Sequence, residues 1–285
     1  MAVGDIVLGP NQYGKAECRL VKVTRDTARH AIEDLNVTSQ LRGDFEACHT
    51  EGDNSQVVAT DTQKNTVYAF ARDGIGSPEE FLLRLGRHFV GEFPWVSGGR
   101  WAAEQYAWER IAMNGQSGDH SFVRSGRETR TAVVEIDGAD TVVVAGIKDC
   151  TVLKSTGSEF HGFPRDRYTT LQETTDRILA TSLTASWRYA DAGIDYDAAY
   201  EGIRDLLLTT FADVHSLALQ QTIFEMGKAV LERYDEVAEI SLSCPNKHHF
   251  LVDLEPFGLD NPGEVFFAAD RPYGLIEATV QRSEA

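Results

Sequence analysis

The stretch TRTAVVEIDGADTVVVAGI, residues 129–147, sets two apolar, β-branched runs on either side of Asp137-Gly138. Such runs favour extended backbone and Asp-Gly favours a tight turn, so the stretch reads as a strand pair. Working outward, the two halves of the chain look similarly built. On the N-terminal side, ECRLVKVTRD (17–26) and DLNVTSQLRGDFEACHT (34–50) read as strands. A helix from about Asp61 to Ala71 and a second in SPEEFLLRLGRHFVGEF (77–93) follow, then strands in RWAAEQYAWERIAM (100–113) and SFVRSG (121–126). On the C-terminal side a strand in TVLKST (151–156) precedes two amphipathic helices, DYDAAYEGIRDLLLTTFADV (195–214) and SLALQQTIFEMGKAVLERY (216–234). Strands in AEISLSC, HHFLVDLEPF, EVFFAA and GLIEATV close the chain.

This order, strands then helices then strands in each half, predicts an α+β fold of antiparallel sheets covered by helices on one face. It does not fit the strand–helix alternation of a Rossmann sheet or a TIM barrel. Neither G-x-G-x-x-G nor a P-loop is present, so nucleotide cofactors are not indicated.

The 285 residues, 42% hydrophobic and 25% charged, suit a soluble globular protein with one large or two ordinary domains. No run approaches the roughly 20 apolar residues of a membrane-spanning helix. The start MAVGDIVLGPNQYGK lacks the basic and apolar regions of a signal peptide, and the end QRSEA lacks a peroxisomal Ser-Lys-Leu, so a cytosolic location is expected. A net charge of −17 argues against nucleic acid and acidic membranes as partners. Cys18, Cys48, Cys150 and Cys244 are scattered without a C-x-x-C pair and read as free thiols.

Several stretches carry chemistry-bearing residues. Thr60-x-x-Gln63 has the form of a capping box; beyond a capped helix, its free N–H groups beside Thr60 and Asp61 would suit an anion or the polar edge of a heterocycle. Gln220 projects within the apolar arc of Leu219, Ile223, Phe224, Met226, Val230 and Leu231. There it is either satisfied by nearby backbone or presented to a ligand with donors and acceptors. Phe160 plugs an irregular loop or offers a ring to a ligand. Arg177, read as lying on a helix, pairs with Asp176 or Glu173 or serves a site. Of the eight histidines, His120, His161, His248 and His249 are the metal candidates, but no H-x-x-x-H or H-E-x-x-H occurs. Adjacent His248 and His249 on a strand would point to opposite faces, so no catalytic metal is expected.

Together, NQYGKAECRLVKV (11–23), VVATDTQKNTVYAFA (57–71), HSFVR (120–124), LKSTGSEFHGFPRDRYTTLQETTDRILAT (153–181), ALQQTIFEM (218–226) and PNKHHFLVDL (245–254) span nearly the whole chain. In this order they resemble the urate oxidase (uricase) family, especially its bacterial form. The resemblance implies two tandem tunnelling-fold (T-fold) domains, divided here as 1–138 and 139–285, with four chains building a barrel around a tunnel. It implies oxidation of urate by dioxygen and water to 5-hydroxyisourate and hydrogen peroxide, with active sites between chains and no metal or organic cofactor. Lys15, Thr60 and His248 match the family's proton relay, and Thr60 and Asp61 reach the substrate from the neighbouring chain. Phe160 matches the residue that stacks on urate, Arg177 and Gln220 the pair gripping its ring edge, Asn246 the residue near dioxygen, and Leu219 a backbone contact where some members have Val. Alternatives are a metal-dependent or pterin-handling enzyme of the same fold, or a non-catalytic purine-binding module.

The resemblance also gives a reading of the polar cluster Pro-Asn-Lys-His-His at 245–249, which interrupts a strand pattern. Pro245, lacking an N–H, is expected to end one run of pairing and free Asn246 and His248 to face a pocket. A Lys-Thr-His chain would draw a further proton from anionic urate, Arg177 would supply the fixed positive partner, and Phe160 would hold the ring flat. With so negative a chain, attraction of an anion has to be local.

Overall fold

Alternation explains the first sheet. In β2 (Ala31–Gly43) the side chains of Leu35, Val37, Ser39 and Leu41 are all fully buried, because successive residues of a strand face opposite sides. Opposed residues of an antiparallel pair share a face, so Tyr13, Lys15, Cys18 and Leu20 of β1 (Tyr13–Thr24) lie on that same inner side. They keep to it only because β1 carries one extra residue between Lys15 and Cys18, with Glu17 at φ 55°.

The computed structural model describes residues 5–113, 115–126 and 128–283. By contacts the chain divides into two compact units, one of 1–145 with 191–197, the other of 146–190 with 198–285. In the first, the strand order is β1-β2-β3-β6, with β3 (Val96–Gln105) and β6 (Thr129–Asp137) antiparallel to their neighbours. A one-turn helix α1 (Glu46–Thr50) follows β2, and α2 (Thr60–Asp73) and α3 (Pro78–Glu92) follow it. Phe81, Leu82, Leu85 and Phe89 of α3 pack with Trp101 of β3 in a core where each is fully buried. Strands β4 (Trp108–Met113) and β5 (Gln116–Arg124) form a separate hairpin. Tyr106 and Ala107 divide the single strand expected over 100–113 into β3 and β4; Tyr106 N still donates to Asp34 O at 2.9 Å, one step past the Leu35–Gln105 pair.

The second unit repeats the plan as β7 (Asp140–Lys154), β8 (Leu179–Tyr189), β9 (Val237–Asn246) and β12 (Gly274–Gln281) in that order. Helices α4 (Tyr196–Asp213) and α5 (Leu219–Arg233) fall between β8 and β9. Tyr200 of α4 stacks on Trp187 of β8 at 6.2 Å between ring centres. Short strands β10 (His249–Leu251) and β11 (Phe266–Ala268) pair with each other. The repeat extends to detail: Asp149 at φ 62° precedes buried Cys150 as Glu17 precedes buried Cys18. Ile147 stands where Lys15 stands in the first unit, fully buried, so only one of the two related positions carries an amine. Each unit is an antiparallel sheet with two long helices, the tunnelling-fold pattern.

Four local expectations are corrected. Thr60 is the first residue of α2 rather than its cap; Ala59 occupies that position with no side-chain cap, and Gln63 is turned into the core instead of back to the helix start. Arg177 lies on no helix, because Thr174 and Asp176 capture nearby backbone: Thr174 Oγ1 donates to Asp176 O at 2.6 Å, and Asp176 Oδ1 accepts from Gly157 N at 3.2 Å. Gln220 and Phe224 are exposed on the outer side of α5, whose inner side is Leu219, Thr222, Ile223, Met226 and Val230. Pro245 does not end the pairing: it opposes Leu275, and Asn246 opposes both Gly274 and Thr181. Among the described residues no helix is long and apolar enough to cross a membrane.

Candidate active site

In the second unit the sheet register gathers the site. Asn246 at the end of β9 opposes Thr181 near the start of β8, and Lys247 N donates to Ala180 O at 2.8 Å. Arg177 lies two residues before β8, so the same register brings it towards the turn that carries His248. That turn is pinned further: Ala269 N donates to His248 O at 2.9 Å, His249 Nδ1 meets Lys247 O at 2.9 Å, and the His248 ring lies 5.8 Å from that of Phe250. The leftover polar cluster is thus a connection between two strands, held by its own backbone.

A second stitch brings in Phe160 and the start of α5. Buried Ser158 and Ser216 form a parallel bridge, Glu159 N donates to Ser216 O at 2.8 Å, and Arg177 N donates to Ser158 O at 2.8 Å. Thr222 Oγ1 donates to Ser216 Oγ at 2.8 Å, which fixes the first turn of α5 with Leu219 and Gln220. Phe160 exchanges two backbone hydrogen bonds with Thr174, 2.8 and 3.0 Å long. Its ring is stacked on Phe163, 5.0 Å away and 14° from parallel, and the Arg177 guanidinium carbon stands 5.1 Å from the ring centre. Arg177 Nε reaches Ser158 Oγ at 3.4 Å, leaving its terminal nitrogens available to a ligand edge.

Burial pulls the Arg177 guanidinium below its ordinary range, although arginine stays charged. Burial first, and the charge of Arg177 second, lower the His248 imidazole, which favours its neutral form. A fixed cation, a braced aromatic face and a proton-accepting imidazole therefore meet around one loop junction.

In the first unit, half-buried Lys15 faces the helices from β1, and Thr60 and Asp61 open α2. The Asp61 carboxylate takes hydrogen bonds from Lys64 and, at 2.9 Å, from Asn65 Nδ2. The bond from Lys64, then its charge, holds the Asp61 carboxyl below its ordinary pKa, and Lys15 adds a smaller pull in the same direction, so Lys15 and Asp61 share one locale. Gly14 makes that placement possible: a Cβ on it would lie 1.8 Å from Ser39 O, so β1 and β2 approach too closely beside Lys15 for a side chain there.

Ser158, Ser216, Phe163, Glu159 and His215 carried no sequence signal of their own; the folding of three loops onto one another defines them. His161, a metal candidate by type, binds Glu159 Oε2 at 2.8 Å. Among the described residues no three His, Cys, Asp or Glu are placed to hold a metal ion.

Fold and site define the class of the protein: a tandem tunnelling-fold protein. A uricase family model matches residues 11–135 and 143–277. The chain is 70% identical over 277 residues to the uricase of Arthrobacter globiformis, a match covering 97% of this chain and 90% of that one. It is 38% identical to the uricase of Dictyostelium discoideum, covering 96% of this chain and 97% of that one. The crystal structure of uricase from Arthrobacter globiformis aligns with a TM-score of 0.95 at 69% identity, over 99% of this chain and 98% of that one. That of a uricase from Bacillus fastidious aligns with a TM-score of 0.83 at 28% identity, over 96% and 94%. The chain belongs to the uricase family.

Proposed function

We infer that this chain is a urate oxidase. It oxidises urate with dioxygen and water to 5-hydroxyisourate and hydrogen peroxide, with no metal or organic cofactor. The oxygen of water adds to the ring carbon that loses two electrons, and dioxygen takes those electrons with two protons. Beyond family membership, the observation that carries this reading is the Arg177 guanidinium 5.1 Å from the centre of the Phe160 ring. A flat, anionic heterocycle laid on that ring offers its edge to the cation.

In this reading Arg177 and Gln220 grip the ring edge, Phe160 stacks on it, Leu219 contributes its backbone, and Asn246 stands near dioxygen. Lys15, Thr60 and His248 pass the proton that makes urate electron-rich enough to react. The tandem domains are 1–138 and 139–285. Four chains build a barrel, and Lys15, Thr60 and Asp61 of one chain complete the site made by Phe160, Arg177, Gln220 and His248 of its neighbour. Two features support a neighbour here. Lys15 and Arg177 fall in different units. Next to His248, Phe250, Leu251 and Phe267 are each more than half exposed, an apolar surface that a second chain would cover.

The test is direct. Urate added in air should lose its ultraviolet absorbance as hydrogen peroxide accumulates in equal amount. Urate bound with its absorbance unchanged, or oxidised only when a metal is supplied, overturns the reading.

A further inference from the structure

Behind Lys15 and Thr60 lies a buried polar circuit. Ser39, the ladder partner of Lys15, donates its hydroxyl to Gln63 Oε1 at 3.0 Å. Gln63 Nε2 donates to Val58 O at 3.4 Å, and Tyr13 Oη donates to the same carbonyl at 3.1 Å. Val58 is two residues before Thr60, and Tyr13 two before Lys15. Two hydrogen bonds thus converge on one carbonyl, one from the strand bearing Lys15 and one from the helix bearing Thr60, and Ser39 closes the ring across the ladder.

Both Ser39 and Gln63 are 0% exposed. On α2 the positions that follow Gln63 on the same face are Val67 and Ala71, also buried. An apolar residue would pack in that row without needing partners, whereas an amide there is tolerated only when bonded. The cap expected of Gln63 is absent, and its amide is spent instead on the segment that delivers Thr60 and on the residue opposite Lys15. Tyr13 is itself braced edge-on against Phe45, 4.8 Å between ring centres, so its hydroxyl has a fixed direction.

We propose that Gln63, with Ser39 and Tyr13, is a positioning residue for the reaction: it fixes the distance between Lys15 and Thr60, two groups on separate elements that must pass one proton. This rests on the urate oxidase reading. None of the three need touch substrate. Proton transfer demands a separation of hydrogen-bond length, and small misplacement of a reacting group costs rate far more than it costs binding.

The experiment compares Gln63→Met, similar in length but without the amide, with Tyr13→Phe, which keeps the ring against Phe45 and loses only the hydroxyl. Val67→Ala, a core change one turn along the same face, is the control. Expected are a fall in kcat of about tenfold or more for Gln63→Met and about threefold or more for Tyr13→Phe. KM for urate should stay within about twofold, and the pH profile of kcat should be displaced. Val67→Ala should lower the melting temperature while leaving kcat per folded protein unchanged. If kcat and its pH profile in Tyr13→Phe and in any folded Gln63→Met match the unsubstituted protein, with only the melting temperature lowered as in Val67→Ala, the circuit is structural only and the proposal falls. Should Gln63→Met not fold, Tyr13→Phe decides alone. Absence of urate turnover in the unsubstituted protein sinks the functional reading and this inference with it; normal turnover in the variants sinks the inference only.

Discussion

Glu159 holds His215 across two loops, His215 Nε2 meeting Glu159 Oε1 at 2.6 Å while the other carboxylate oxygen takes His161 Nε2 at 2.8 Å. The hydrogen bond from His215 first, and that from His161 with it, keep the Glu159 carboxyl below its ordinary range. A carboxyl lowered in the folded state stabilises the fold above its unfolded value, about 4.3, and that contribution is lost as pH falls through the lowered value. Gln is the neutral isostere of the protonated acid. Glu159→Gln should therefore melt at a lower temperature than the unsubstituted protein near neutral pH, and the two curves should converge in acid. A constant gap from pH 7 to pH 3 would mean that the hydrogen-bonded carboxylate contributes nothing.

Arg177→Gln should chiefly weaken substrate binding. Removing a charge-assisted contact costs about 1.5–3 kcal/mol, so KM should rise about tenfold or more. The backbone bond from Arg177 N to Ser158 O at 2.8 Å survives the substitution, so the loop should remain in place. Unchanged affinity in urate titrations would return Arg177 to a purely structural role.

Lys15→Met should leave folding intact and cut kcat by about two to four orders of magnitude, as expected for loss of a general base. Near-normal turnover, measured as urate absorbance lost per folded chain, removes Lys15 from the relay.

Gly14→Ala tests the close approach beside Lys15. With a Cβ 1.8 Å from Ser39 O, β1 must move off β2, at a cost of about 1–3 kcal/mol in stability. The denaturation midpoint should fall and turnover with it. A midpoint equal to that of the unsubstituted protein would show that the strands relax freely there.

Lys15→Met and Arg177→Gln chains, unfolded and refolded together and assayed at urate well below KM, should turn over more urate than the two variants measured separately. Shared sites place both lesions in some sites and neither in others. Confirmed chain exchange without recovery would assign a complete site to each chain.

Much of this architecture was legible in the sequence because period-two and helical patterns report burial, and burial made most of the elements. The β2 alternation and the face of α5 carrying Ile223, Met226 and Val230 are of that kind. What pattern could not report was the choice a polar side chain makes among partners. Thr60 and Gln63 have the spacing of a reciprocal cap, yet Gln63 prefers Val58, before the helix, and Ser39, which is distant in sequence. Arg177 sits in a run of helix-compatible residues, yet Thr174 and Asp176 take the backbone into turns. Pro245 looks like a strand end, but it keeps its place opposite Leu275. The first and third depend on a residue far along the chain, and the second on local side-chain bonds that compete with a helix.

The extra residue at Glu17 makes the length of β1 matter more than its composition. Ala16 and Glu17 are solvent-exposed and open to replacement by any side chain the φ of 55° at Glu17 accepts. Regular alternation all the way from Lys15 to Cys18 would turn either the lysine or the cysteine outward, and in the first case separate the amine from the start of α2. An engineer shuffling this strand with those of distant relatives should count residues from Cys18 before comparing identities.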